Sequence, residues 1–293
     1  MPTIQSTYLV DETAGEENFA GNFDRLAFAF HHQLHTTGLF SLETMLELAD
    51  RVSAKVNRWY FEEGHTEPGK GWTARTSSQD LLECIHGIAD KHALIMLKRV
   101  HEEPEYNEIL RALEGELTRL TGIDIPANYR DGLMTIIITS PGRITPYHID
   151  GEANLLMQMS GSKSVYIFDG NDREILPTKE LESFWSGDIK APQYRDHLQD
   201  RAWRFELLPG IGVHNPVTFP HWVQNGPDVS ISLSVNFKRR IDDAADAHRV
   251  NRQLRRLGLR PAEPGTAKMV DHTKGVVYRA ARQVKQRLGN RSS

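Results

Sequence analysis

The chain has 293 residues, 39% of them hydrophobic, enough to bury a sizeable core in one large domain or two ordinary ones. A net charge of −4 argues against a generic nucleic-acid binder, and the single cysteine, Cys84, excludes an internal disulfide and a cysteine-rich zinc site. No apolar run approaches the roughly 20 residues of a membrane span. The Met-Pro-Thr-Ile-Gln-Ser start lacks the basic residues and apolar core of a signal peptide, so a cytoplasmic protein with no membrane partner is expected.

Taken in order, Leu26, Phe28, Phe30, His32 and Leu34 alternate with period two and predict a half-buried strand. A strand sends His31 and His32 to opposite faces, and no nearby carboxylate completes a ligand set with His35, so these histidines read as structural. Ser41 is a candidate N-cap for a helix with Met45, Leu48, Ala49 and Val52 on its apolar face. Val56 to Phe61 reads as a strand, and the Pro68-Gly69-Gly71 region as a loop. Ser77 with Asp80 resembles a capping box for a helix burying Leu81, Ile85 and Ile88; Cys84 inside it reads as structural. Ala93 to Val100 is read as a strand, and Pro104 opens a helix that Gly122 stops.

From Leu133 the texture becomes β, with runs at Leu133 to Thr139, Leu155 to Met159, Ser164 to Phe168, Phe205 to Leu208, Gly212 to Asn215, Val217 to Phe219 and Val229 to Phe237. Pro177 to Arg204 is a polar excursion that should cross the surface. Many short strands with Gly/Pro turns predict a double-sheet jelly roll of the cupin type, a mainly β fold with accessory helices. Three parts follow: a mixed α/β region over 1–125 packing on the core, the jelly roll over 126–240, and a basic helical extension over 241–293. In that extension Val276, Val277, Ala280, Val284 and Leu288 form a stripe under basic residues such as Arg249, Arg255 and Arg279. A helix packed on the core or on a second subunit, giving a homodimer, is favoured there over a nucleic-acid contact.

The chemistry concentrates in Thr145-Pro-Tyr-His-Ile-Asp-Gly-Glu-Ala-Asn154 and Lys163. On a strand, His148 and Asp150 leave the same face and can converge on one cation. His221 is the candidate third ligand, and His214 is its rival on spacing. Two imidazoles and one carboxylate on one side of a metal leave open positions, an arrangement suited to non-haem Fe(II) and dioxygen.

Thr145 three residues before His148, Asn154 four after Asp150, Lys163 thirteen after Asp150 and Asn236 fifteen after His221 give a spacing that resembles the JmjC and cupin-like oxygenases, especially their asparaginyl hydroxylases. That resemblance implies Fe(II) on His148, Asp150 and His221. It implies 2-oxoglutarate held by Thr145 and Lys163, with Asn154 and Asn236 beside the cosubstrate. The expected activity is hydroxylation of a protein side chain or small molecule with release of succinate and CO2. A non-catalytic cupin-like binding protein and a metal-dependent cupin enzyme without 2-oxoglutarate are the alternatives. A tyrosine contact to the cosubstrate is also implied, with Tyr147 and Tyr166 available.

Overall fold

Apolar, largely β-branched runs separated by turn residues set the architecture, because each can pair only by crossing between two facing layers. The computed structural model describes residues 7–10, 15–70, 81–130 and 132–289. Its N-terminal part supplies β1 (Leu9–Val10), α1 (Gly15–Asn22), β2 (Phe28–His32), α2 (Leu42–Ser53), β3 (Trp59–Glu63), α3 (Leu81–His86), β4 (Ala93–Lys98), α4 (Pro104–Thr121) and α5 (Ile125–Asn128). Then come β5 (Leu133–Thr139), β6 (Ile144–His148), β7 (Ala153–Ser160), β8 (Lys163–Ile167), α6 (Thr178–Trp185), β9 (Trp203–Leu207), β10 (Ile211–Asn215), β11 (His221–Asn225) and β12 (Ser230–Phe237). Two helices end the chain, α7 (Asp243–Arg256) and α8 (Lys268–Gly289).

Successive strands from β5 to β12 are dealt between two antiparallel sheets. The larger runs β1-β2-β10-β7-β12-β5-β4-β3 and the smaller β6-β11-β8-β9. This is the expected jelly roll, with four N-terminal strands added at the edges of its larger sheet. β5 shows why its sequence is almost continuously apolar. Met134, Ile136 and Ile138 are fully buried beneath the helices, while Thr135 and Ile137 on the opposite face line the cavity between the sheets. Helix α4 contributes Ile109, Leu113 and Leu117 to that same core. Pro104 begins it and Gly122, at φ +68, ends it as expected. Ser41 does cap α2, its hydroxyl accepting from the Thr44 N–H.

Several expectations shift. Strand β2 omits Leu26, which is 45% exposed, and the strand expected from Val56 starts only at Trp59, with Val56 in solvent. Val217 to Phe219 is a turn, not a strand. Pro216 and Pro220 flank it without N–H groups, and Thr218 sits at φ +64. The excursion after Pro177 contains α6. The Ser77/Asp80 capping box lies outside the described residues.

The C-terminal stripe also behaves differently. Val276, Val277 and Val284 are about half-exposed, so the chain's own core does not cover them. What fastens α7 and α8 is polar. Arg249 donates to the Trp185 carbonyl at 2.7 Å, Arg255 to Glu182 at 2.9 Å, and Arg279 to Asp246 at 2.7 Å. Much of the basic character of this region is therefore spent on internal contacts. No described helix is long and apolar enough to cross a membrane.

Candidate metal centre and its cavity

His148 closes β6 and His221 opens β11, and the two are cross-strand partners in the smaller sheet with ring centroids 4.1 Å apart. Asp150 lies beyond the end of β6, in the turn that follows. The expected same-face strand geometry is thus replaced by a turn that brings the carboxylate back toward both rings. Its Oδ2 is 3.9 Å from His148 Nε2 and 3.6 Å from His221 Nε2. The Thr218 N–H, in the positive-φ turn, fixes the Asp150 carbonyl at 2.9 Å. Among the described residues these three form the one group of His, Cys, Asp and Glu able to hold a metal ion, with ligand atoms within 4.8 Å of one another.

Both rings are oriented through Nδ1. That of His148 lies 2.7 Å from the Pro146 carbonyl, and that of His221 lies 3.1 Å from the Phe219 carbonyl. Donation from Nδ1–H leaves each Nε2 lone pair directed at the shared centre. Burial, then the neighbouring His148, pushes the His221 imidazole down to about 4, so it is neutral and ready to ligate at physiological pH. Asn215 Nδ2 sits 3.0 Å from His221 Nδ1, and its buried Oδ1 has no partner among the described residues. Turning that amide would give the imidazole N–H an oxygen acceptor.

Thr145 and His148 differ in parity, so a regular strand would separate them. A register shift between His221 and Val223 puts two residues of β6, Pro146 and Tyr147, against one of β11, Trp222. Both side chains consequently line one cavity of about 610 Å³, together with Asp150, Asn154, Lys163, His221 and Asn236. All seven residues read from the sequence are gathered here.

Lys163 begins β8, opposite Asn225. It is 4% exposed, and among the described residues its ammonium has no hydrogen-bond or ion-pair partner. Burial alone pushes it down to about 7. Asn154 donates to Ser234 Oγ and to Asn236 Oδ1, each at 2.7 Å. Its strand partners are Asn215 on β10 and Asn236 on β12, so three asparagines form a row across the larger sheet. Asn215 escaped sequence reading. The signal was its position at the end of a β run six residues before His221.

The remaining candidates lie elsewhere. His214 is fully buried; its Nε2 accepts from the Asp24 N–H at 2.8 Å and its Nδ1 lies 2.9 Å from the Asn154 carbonyl, which leaves no nitrogen for a metal. Tyr147 packs on Phe168 and Tyr194, and Tyr166 stacks on Trp222 at 4.1 Å; neither lines the cavity. His31 and His32 do fall on opposite faces of β2.

No family model matches the chain, and no curated protein matches it. Solved structures do. The X-ray structure of E. coli YcfD aligns with a TM-score of 0.56 at 14% identity, over 94% of this chain and 69% of that chain. The crystal structure of the Escherichia coli ribosomal oxygenase YcfD gives 0.50 at 14% identity, over 94% and 68%. A structure of YcfD in complex with cobalt and 2-oxoglutarate gives 0.48 at 14%, over 93% and 67%. The likeness to the first two establishes the shared jelly-roll fold.

Proposed function

We propose that the chain is an Fe(II)- and 2-oxoglutarate-dependent oxygenase that hydroxylates a protein side chain or a small molecule. The observation that carries this reading is a metal-competent His148–Asp150–His221 group sharing one cavity with a buried lysine, Lys163, whose ammonium has no hydrogen-bond or ion-pair partner among the described residues. The fold shared with a protein described as a ribosomal oxygenase supports it. Likeness to the asparaginyl hydroxylases rests on the spacing of the seven residues.

In this reading His148, Asp150 and His221 hold the metal from one side. Lys163, with the Thr145 hydroxyl, supplies charge-assisted hydrogen bonds to the distal carboxylate of a dicarboxylate bound end-on. Asn154 and Asn236 present amide groups between the two ends. Valine, leucine and isoleucine side chains on both sheets, Val165, Val213, Val223, Leu156 and Ile137 among them, keep water from the reacting centre. When bound, Fe(II) and 2-oxoglutarate supply the activation of dioxygen, with the keto acid oxidised to succinate and CO2.

Anaerobic addition of Fe(II) and 2-oxoglutarate should produce a weak visible charge-transfer band that the His148→Ala protein lacks. A band of equal strength in that variant would sink the assignment. We further infer the three-part organisation 1–125, 126–240 and 241–293. We also infer a homodimer formed through the half-exposed valines of α8, which light scattering would reveal.

A further inference from the structure

A second pocket of about 350 Å³ lies behind the metal centre, and Trp185 lines both cavities. Its floor is the first turns of α7, at Ala244, Ala245 and His248. Three arginines and two aspartates reach it, and the aspartates are already committed. Asp24 accepts from the Val217 N–H at 3.1 Å, the Tyr129 hydroxyl at 3.0 Å and Arg239 Nε at 2.6 Å. Asp242 caps α7 by accepting from the Ala245 N–H at 2.9 Å and faces Arg239 at 3.5 Å.

The other two cations are left over. Arg25 has no acidic partner among the described residues. Arg173 donates from Nη1 to the Gly170 and Leu176 carbonyls at 2.9 and 3.3 Å, which anchors its guanidinium without neutralising it. Beside them, on the second turn of α7, His248 is 5% exposed, and its buried Nδ1 has no hydrogen-bond partner among the described residues. Burial, followed by the charges of Arg173, Lys274, Arg249 and Arg255, pushes it down to about 4, so it is a neutral imidazole in a positive field. A buried polar group without a partner costs folding energy unless something occupies the site.

We propose that this pocket is a second ligand site, separate from the metal cavity, which binds a small oxyanion through Arg25, Arg173 and His248. The group recognised is a compact multi-oxygen anion, either the phosphate of a phosphomonoester or a carboxylate. Bidentate guanidinium contacts suit both.

Isothermal titration of the metal-free full chain with inorganic phosphate, and separately with malonate, tests this. In Lys163→Met, where the metal cavity has lost its cation, one saturable site is expected to remain. The Arg25→Gln/Arg173→Gln protein, altered only at exposed side chains and checked for folding by circular dichroism, should bind about ten-fold or more weaker. His248→Asn, a smaller polar replacement, should weaken binding while preserving the stoichiometry. Tighter phosphate identifies a phosphomonoester source, and tighter malonate a carboxylate one. Absence of saturation up to on the order of 10 mM of either anion overturns the proposal. So does binding that vanishes in Lys163→Met or is unchanged in the double arginine variant.

Discussion

The two ends of the main cavity are built on opposite principles. At the metal end both imidazoles meet a backbone carbonyl through Nδ1, and the backbone carbonyl of Asp150 is tied to the Thr218 N–H. Burial keeps the His221 imidazole neutral, so it carries no charge into the site. At the other end Lys163 brings an amino group into a desolvated site with no hydrogen-bond or ion-pair partner among the described residues. The first end has its imidazoles oriented without a ligand; the second holds an unmet demand that an anion would relieve. A site needing only a metal would have no use for the second.

The largest effect should come from breaking the braced end. His148→Ala removes one of three protein ligands, and Mn(II) affinity read by electron paramagnetic resonance should fall at least about 100-fold. Retained tight binding would mean that the triad is not the metal site. Next comes Lys163→Met, which separates the two ends. Affinity for 2-oxoglutarate should drop about 10- to 100-fold, the worth of a charge-assisted contact, while Mn(II) affinity stays the same. Thermal unfolding of the unliganded protein should shift upward, because methionine fills the same space without a buried charge. An enzyme using metal without 2-oxoglutarate would show the stability gain and no cosubstrate effect.

The difference between the ends also explains what was legible. Lys163 stands out in sequence because a lysine inside a β run needs a reason, and Thr145 and Asn154 gain meaning from their spacing to it. Strand alternation and turn residues revealed the jelly roll, since period and punctuation are local. Nonlocal geometry was hidden. The β6 bulge that lets Thr145 and His148 share a cavity depends on pairing with β11, and the Val217 turn depends on a contact to Asp150. The α8 valines form a helical stripe whether or not anything covers them, so their exposure could not be read from periodicity. Asn215 was missed because its role exists only through its neighbour His221 on another strand.

Asn215 gives the next test of the bracing. Asn215→Ala removes the amide beside His221 Nδ1 while leaving the Phe219 carbonyl, so the ring loses one of two partners. Loss of such an outer contact is expected to weaken metal binding about 10-fold, the lower end of the usual range. Asn215→Asp offers an oxygen to the same N–H and should recover most of that loss. If both variants bind metal like the parent, the asparagine is structural.

The smallest effect is the pH dependence of the Lys163 end. Its folded value falls from 10.5 to about 7 through burial. Between pH 7 and about 10 the folded, unliganded protein therefore binds fewer protons than the unfolded chain, and stability contributed by this group rises with pH. Below pH 7 both states are protonated and the group adds no slope. Ligand binding runs the other way, since a carboxylate partner requires the ammonium. Affinity for 2-oxoglutarate should weaken by somewhat less than about ten-fold from pH 6.5 to pH 8, with proton uptake on binding at the upper end. Other groups near the metal also titrate, so the informative quantity is the difference between the parent and Lys163→Met, measured by calorimetry in two buffers of different ionisation enthalpy. Identical pH profiles for the two proteins would mean that the lysine is already charged and paired before the cosubstrate arrives, and the contrast between the two ends of the cavity would collapse.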